Sequence, residues 1–275
     1  MNLFIKTKDY TVSGEEFHLM YDQQNDMLIT QPQPKQQDQY YQSEDYISHT
    51  DTKRNFLERL YHIVKQYSLK KKCSLIENFS GASKSLLDIG AGTGDFLLSA
   101  KKRGWQVKGV EPNPLARNKA LNKGLSLIED STACKNEKFE VITLWHVLEH
   151  LPDLENQIRQ IVSLLEESGT LILAVPNFKS DDAAYYKHFW AAYDVPRHLW
   201  HFSQTAISNL FSENGMKVIK VKPMIFDSFY VSLLSEKYKN GKPNYVRAFY
   251  QGFKSNLKAM KTGEYSSLIY ILKKG

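Results

Sequence analysis

The sequence predicts an α/β fold, a doubly wound and mostly parallel sheet covered by helices on both faces. Three observations predict it. Short apolar runs alternate with helical periodicity from Ser85 to about Pro223, the pattern of strands buried on both sides. The first run ends in a glycine-rich turn that leads directly into a helix. A last apolar run, Ser267 to Leu272, follows two further helical stretches. Seven strands are expected: Leu86–Ile89, Val107–Val110, Leu125–Ile128, Val141–Leu144, Leu171–Val175, Val218–Val221 and Ser267–Leu272. Asn113 and Pro114 supply a cap and a first turn for one intervening helix, and Gly124 supplies its stop.

The sheet is preceded by residues 1–50, read as an N-terminal extension and lid, while 51–275 form the main domain. Pro32 and Pro34 hold their neighbours extended. Before them, Glu16–Tyr21 and Asp26–Ile29 suit a short hairpin. From Asp51, Phe56, Leu57, Leu60, Ile63, Val64 and Tyr67 recur at helical spacing and predict a long amphipathic helix. Residues 224–262 are a helical insertion before the last strand, with helices expected over 228–239 and 244–261. Their aromatics are read as shaping substrate access or a subunit contact such as a homodimer.

Bulk properties narrow the function classes. The 275 residues carry 42% apolar and 24% charged residues, the composition of a globular chain. The net charge of +6 is scattered, so no nucleic-acid partner is expected. Lys70, Lys71 and Lys72 form the tightest basic run and read as a solvated helix end. Cys73 and Cys134 stand apart in no metal spacing, which suits a reducing compartment. The start lacks a signal-peptide core, and no run approaches the roughly 20 apolar residues of a membrane span. A cytoplasmic location is expected.

The chemistry-bearing residues gather at the strand ends. Asp88 closes the first strand and is followed by Gly90, Ala91, Gly92, Thr93 and Gly94. Glycine is needed where the backbone turns sharply and a ligand lies against it. Glu111, followed by Pro112, ends the second strand, where its two oxygens can accept both hydroxyls of a ribose. The spacing is G-x-G-x-G, one residue shorter than the dinucleotide fingerprint. This combination resembles the class I, Rossmann-like SAM-dependent methyltransferases over about Ser85 to Val221. The resemblance implies S-adenosyl-L-methionine as cofactor and S-adenosyl-L-homocysteine as product. It also places Glu129 and Asp130 near the adenine, and matches Trp145 to Asp153 with the family's H-x-L-E-H-x-x-D segment. Arg197, His198, His201, Phe202 and Ser203 resemble the R-H-x-x-H-F-S segment of a bacterial group that includes ubiquinone-type methyltransferases. Some of those relatives carry a cysteine pair near the N-terminus, and here Asp22 and Asn25 fall in those places.

The resemblance thus implies cofactor contacts from Asp88, Gly90, Ala91, Gly92, Gly94, Glu111, Pro112, Asp130, Trp145 and His146. Tyr41 joins them from a Tyr-rich lid that also includes Tyr40, Tyr46, Ser48 and His49. Candidate bases are His146, His201 and His198, with His150 more simply bracing the following helix. His146, Glu149 and His150 with His198 or His201 also suit a divalent cation, but spacing alone assigns no metal. The expected acceptor is a small molecule or a lipid or quinone precursor, with O-methylation favoured. A nucleic-acid or protein methyltransferase and a non-catalytic SAM-binding regulator are the alternatives.

Overall fold

A computed structural model describes residues 1–36, 38–41, 56–81 and 83–275, with the side chains of 38, 41 and 56–62 left out. Most of the expected lid, including Tyr46, Ser48 and His49, lies outside the described residues, as does the side chain of Tyr41. The chain begins with a meander of β1 (Asn2–Lys8), β2 (Glu16–Asp22) and β3 (Met27–Gln31). The long helix α1 (Phe56–Glu77) follows. Then come β4 (Ser85–Ile89), α2 (Asp95–Lys101), β5 (Gln106–Val110), α3 (Pro114–Asn122), β6 (Phe139–Trp145), α4 (Leu154–Ser163) and β7 (Leu165–Pro176). The rest comprises α5 (Asp181–Tyr186), β8 (Trp200–His201), α6 (Gln204–Ser212), β9 (Met216–Pro223), α7 (Asp227–Asn240), α8 (Tyr245–Thr262) and β10 (Ser267–Lys274).

Among the described residues the central sheet has six strands in the order β5-β4-β6-β7-β10-β9. The first four are parallel, and β10 runs antiparallel to both its neighbours. Alternation along each strand feeds two cores. Leu86, Val141, Ile172 and Ile271 point to one face, against Cys73 and Ile76 of α1 and Phe96 and Leu97 of α2. Leu87, Ile142, Leu171 and Leu173 point to the other, against Ile158 and Ile161 of α4 and Ile207 and Phe211 of α6. The fold is that of the Rossmann-like methyltransferases, and it corrects the expected seven strands. The Leu125–Ile128 run does not form a ladder: only Ile128 bridges Val110. Leu125 and Leu127 instead fill the space beside Gly94 and Gly109, where an added Cβ would meet them at 2.6 Å in each case.

The N-terminal residues build a second sheet, of order β1-β2-β3-β8, all antiparallel. Its fourth strand is the expected R-H-x-x-H-F-S segment, with Leu28 paired to His201 and Ile29 to Trp200. Phe17, Leu19 and Leu28 of this sheet pack with Tyr186, Trp190 and Tyr193 in a third core. Asp22 and Asn25 lie at the β2–β3 turn and bond to each other, Nδ2 donating to Oδ2 at 2.8 Å. Among the described side chains of α1, Cys73, Leu75 and Ile76 are buried while Ile63 and Tyr67 of the expected apolar face are exposed; Phe56, Leu57 and Leu60 lie outside the described side chains. Among the described residues no helix is long and apolar enough to cross a membrane.

Candidate active site

The glycine turn sits at the carboxyl ends of β4 and β5, where open parallel sheets leave a crevice. Gly90 and Ala91 both donate their backbone N–H to the Val110 carbonyl, at 2.8 and 2.9 Å. This folds the turn over the end of β5. Gly90, Gly92 and Gly94 have φ of +73°, +54° and +76°, the left-handed region that glycine enters without strain. A Cβ on Gly90 would lie 2.3 Å from Val147 Cγ2, so the turn is packed directly against the segment that follows β6. Beside Gly92 the space is open, with no heavy atom within 4 Å of where a Cβ would stand.

Glu111 latches the loop. Its Oε2 accepts from the Gly92 N–H at 2.7 Å and its Oε1 from the Asn113 N–H at 2.9 Å. Asn113 in turn caps α3, accepting from Leu115 and Ala116. The carboxylate is thus fixed over the glycine turn before any ligand arrives, and Pro112 is exposed next to it. Asp130 is exposed at the same edge, where it accepts from the Thr132 N–H. Its neighbour Glu129 pairs with Arg117.

A buried charge cluster lies behind the turn. Asp88 is almost fully buried and accepts from Thr143 Oγ1 at 2.6 Å. Burial raises its pKa to about 7, against the opposing pull of the Thr143 hydrogen bond and of Lys72. Burial also lowers Lys72, which the charges of Asp88 and Asp227 partly restore. The Lys72 ammonium rests 4.3 Å from the centroid of Trp145, a cation–π contact at the end of β6. Trp145 also meets Phe96 edge-on, and its buried Nε1–H has no protein partner among the described residues. Lys72 was not legible as a site residue from the basic run. Its spacing with Leu69, Cys73 and Ile76 was the available signal, because it places the lysine on the buried stripe of α1.

His146 follows directly. Its φ of +58° is rare for a non-glycine residue and holds the ring at the sheet edge. Nε2 lies 3.1 Å from Asp227 Oδ2, at the start of α7, and Nδ1 lies 3.4 Å from Glu149 Oε1. Burial pulls the imidazolium down, but the two carboxylates outweigh it and raise its pKa to about 10. The ring is therefore a cation at neutral pH, and the expected base arrives with its proton already held. Its NMR titration should remain above pH 9 and should move down in Asp227→Asn. A neutral His146 at pH 7 in the wild type would refute this assignment. Asp227 was not legible in the sequence, because it comes from the far side of β9.

The other two candidate histidines are hydrogen-bonded in and beside the N-terminal sheet. His201 Nε2 is 3.0 Å from Thr30 Oγ1 inside the N-terminal sheet, and burial lowers its pKa well below the ordinary value. His198 Nδ1 is 2.9 Å from the Ala192 carbonyl, and its ring meets His150 edge-on with centroids 4.5 Å apart. Burial and the neighbouring His198 bring the His150 pKa down to about 4, and its Nδ1 lies 3.0 Å from the Arg197 carbonyl. Glu149, His150 and His198 offer ligand atoms within 4.8 Å of one another, and neither Glu149 oxygen has a hydrogen bond among the described residues. By donor chemistry this group could hold a divalent cation. A cavity of about 330 Å³ opens beside Lys72 and Asp227, with Tyr67, Met224, Phe226 and Ile269 also on its walls.

The strand order and this turn define an α/β protein with a glycine-lined crevice at the carboxyl ends of its parallel strands. Residues 61–221, more than half of the chain, match the family described as "Methyltransferase domain", and the chain belongs to that family. It is similar to the ubiquinone biosynthesis O-methyltransferase of Actinobacillus pleuropneumoniae serotype 7, at 34% identity over 108 residues, covering 34% of this chain and 46% of that protein. The protein of the same name from Stutzerimonas stutzeri is 32% identical over 111 residues, covering 37% and 48%. The chain thus spans about half the length of the curated relatives it matches. Among solved structures, magnesium protoporphyrin IX methyltransferase from Synechocystis with bound SAH aligns with a TM-score of 0.56 at 15% identity, covering 86% of this chain and 97% of that one. The cyclopropane synthase MmaA2 of Mycobacterium tuberculosis aligns at 0.52 and 15%, covering 74% and 83%. These two likenesses concern the fold.

Proposed function

We propose that this protein is an enzyme that transfers the methyl group of S-adenosyl-L-methionine to a small-molecule or lipid or quinone-precursor acceptor, with a hydroxyl oxygen as the nucleophile. The observation that carries the reading is the glycine turn latched to Glu111 across the ends of two adjacent parallel strands. Membership of the methyltransferase-domain family and the names of the matched relatives support it. The three glycines at positive φ and the open space beside Gly92 fit a ligand lying on bare backbone. The cofactor supplies a methyl group already activated on a sulfonium, so alignment and proton removal are what remain for the protein.

Glu111 and Gly92 would hold the ribose, and Asp130 would face the base. Asp88, Trp145 and Lys72 line the far end of the crevice, and the neighbouring cavity takes the acceptor. His146 is held there between the Glu149 and Asp227 carboxylates, so the ring positions the Asp227 carboxylate on the cavity wall, where an acceptor would lie. A cytoplasmic setting agrees with this reading.

Calorimetry with S-adenosylhomocysteine tests it. Glu111→Ala removes a charged acceptor and should weaken binding roughly ten- to a hundredfold. Gly92→Val should weaken it comparably, because valine resists φ near +54°. Tight NADH binding with no response to S-adenosylhomocysteine would overturn the assignment.

A further inference from the structure

Helix α8 is built the wrong way round for a helix of a soluble core. Its buried residues are Ala248, Gln251, Gly252, Ser255 and Ala259, all small or polar, with Ser255 donating to Asp182 of α5 at 2.6 Å. A Cβ on Gly252 would lie 2.9 Å from Phe229 Cα, so α8 and α7 touch backbone to backbone there. The large apolar side chains face outward instead. Val246 is 82% exposed, Met260 73% and Phe249 64%, with Tyr250, Phe253 and Leu257 also exposed.

At 3.6 residues per turn these residues fall in three sectors. Tyr245, Val246, Phe249, Tyr250, Phe253, Leu257 and Met260 fill one continuous outward stripe. Arg247, Lys254, Lys258 and Lys261 fill the next, and the small buried residues fill the third. Phe249 stacks between Phe229 and Phe253, at 5.3 and 6.5 Å, which joins the aromatic stripe to α7. The helix carries no acidic residue. Lys258 pairs with Asp181 of α5, and the other three cations border the apolar stripe.

We propose that α8 is a membrane-surface helix that docks this protein onto an anionic lipid bilayer. An exposed apolar stripe flanked by cations and free of acids is complementary to acyl chains below negatively charged headgroups. The same charge pattern disfavours a second copy as the occupant, because a two-fold contact through this face would set cation against cation with no acid of α8 to offset them. The stripe also runs on toward the cavity. Asn256 Nδ2 donates to the Ile225 carbonyl at 3.0 Å, and the exposed Ile225 and Phe226 form the lip of the 330 Å³ cavity. A bilayer-bound α8 therefore sets that lip at the lipid boundary.

Vesicle co-sedimentation of the full chain tests the proposal, with phosphatidylcholine alone or mixed with phosphatidylglycerol. The wild type should sediment with the mixed vesicles, release as salt rises, and bind phosphatidylcholine alone weakly. Lys254→Gln with Lys261→Gln should weaken binding roughly fivefold per cation removed. Phe249→Ser with Phe253→Ser should weaken it by at least about tenfold per aromatic. S-adenosylhomocysteine binding should be unchanged in both double variants, which shows that they are folded and separates this result from the methyl-transfer reading. Wild-type protein that stays in the supernatant with mixed vesicles would overturn the proposal. So would light scattering that shows a wild-type dimer dispersed by the serine pair, which would assign the stripe to a second copy.

Discussion

Arg197→Ala is expected to destabilise the protein by about 3–5 kcal/mol at neutral pH, the range for breaking a buried ion pair from one side. Arg197 is nearly fully buried and joins three parts of the chain. Its Nη2 donates to Asp9 at 3.1 Å and to Asp194 at 2.6 Å, and its Nη1 donates to the Tyr40 carbonyl at 3.0 Å. Removing the guanidinium leaves the Asp9 carboxylate buried with only the hydrogen bonds of its own turn, from Thr11, Val12 and Ser13. Arg197→Lys should recover only part of the loss, since one ammonium cannot reproduce a planar fork with three partners. The pH dependence has a definite sign. Burial raises the Asp9 pKa, but the Ser13 and Thr11 hydrogen bonds and Arg197 bring it down to about 2. A depressed carboxylate contributes stability above its unfolded value near 4, and that contribution fades as pH falls toward about 2. Urea melts at pH 7 and pH 3 measure both effects, and a loss below about 1 kcal/mol at pH 7 would contradict the account.

The second large effect is expected at Asp88, with the opposite sign. Its folded pKa of about 7 lies above the unfolded value. Its contribution is therefore fully present below about pH 4 and is lost as pH rises through about 7. A displacement of that size is worth about 4 kcal/mol between the two ends of the window. Asp88→Asn keeps an acceptor for Thr143 and removes the buried charge, so its stability relative to the wild type should climb between pH 4 and 7. A difference that is flat across this window would show that Asp88 stays ionised beside Lys72.

The glycine turn and its Glu111 latch were legible because they are local. Asp88, the three glycines and Glu111 lie within 24 consecutive positions, and the strand–turn–helix pattern needs few alternatives. The charged cluster behind them was not. Asp227 and Lys72 reach His146 and Asp88 from α7 and α1, so their roles exist only once distant segments meet. The expected third strand failed for a packing reason, since Leu125 and Leu127 turn inward to fill the gaps left by glycines. The hairpin of the N-terminal extension was legible, but β1 and the recruitment of Trp200 and His201 as a fourth strand were not. The bonds of that segment's two histidines, to Thr30 and to the Ala192 carbonyl, were accordingly not legible either. The inserted helices were placed within one or two residues, yet periodicity could not say which face of α8 would be covered.

The small N-terminal sheet has a consequence for the order in which the chain organises itself. Thr30 bonds to His201 across 171 residues, and Asp9 meets Arg197 across 188. Closing loops of that length costs conformational entropy before any contact compensates it, and contacts so far apart in sequence form late. During synthesis β1, β2 and β3 leave the ribosome well before β8 and can form only an incomplete meander until it follows. Their fourth strand and their buried counter-ion arrive after most of the central sheet has been made. Strands translated before the central sheet are therefore secured only after most of that sheet.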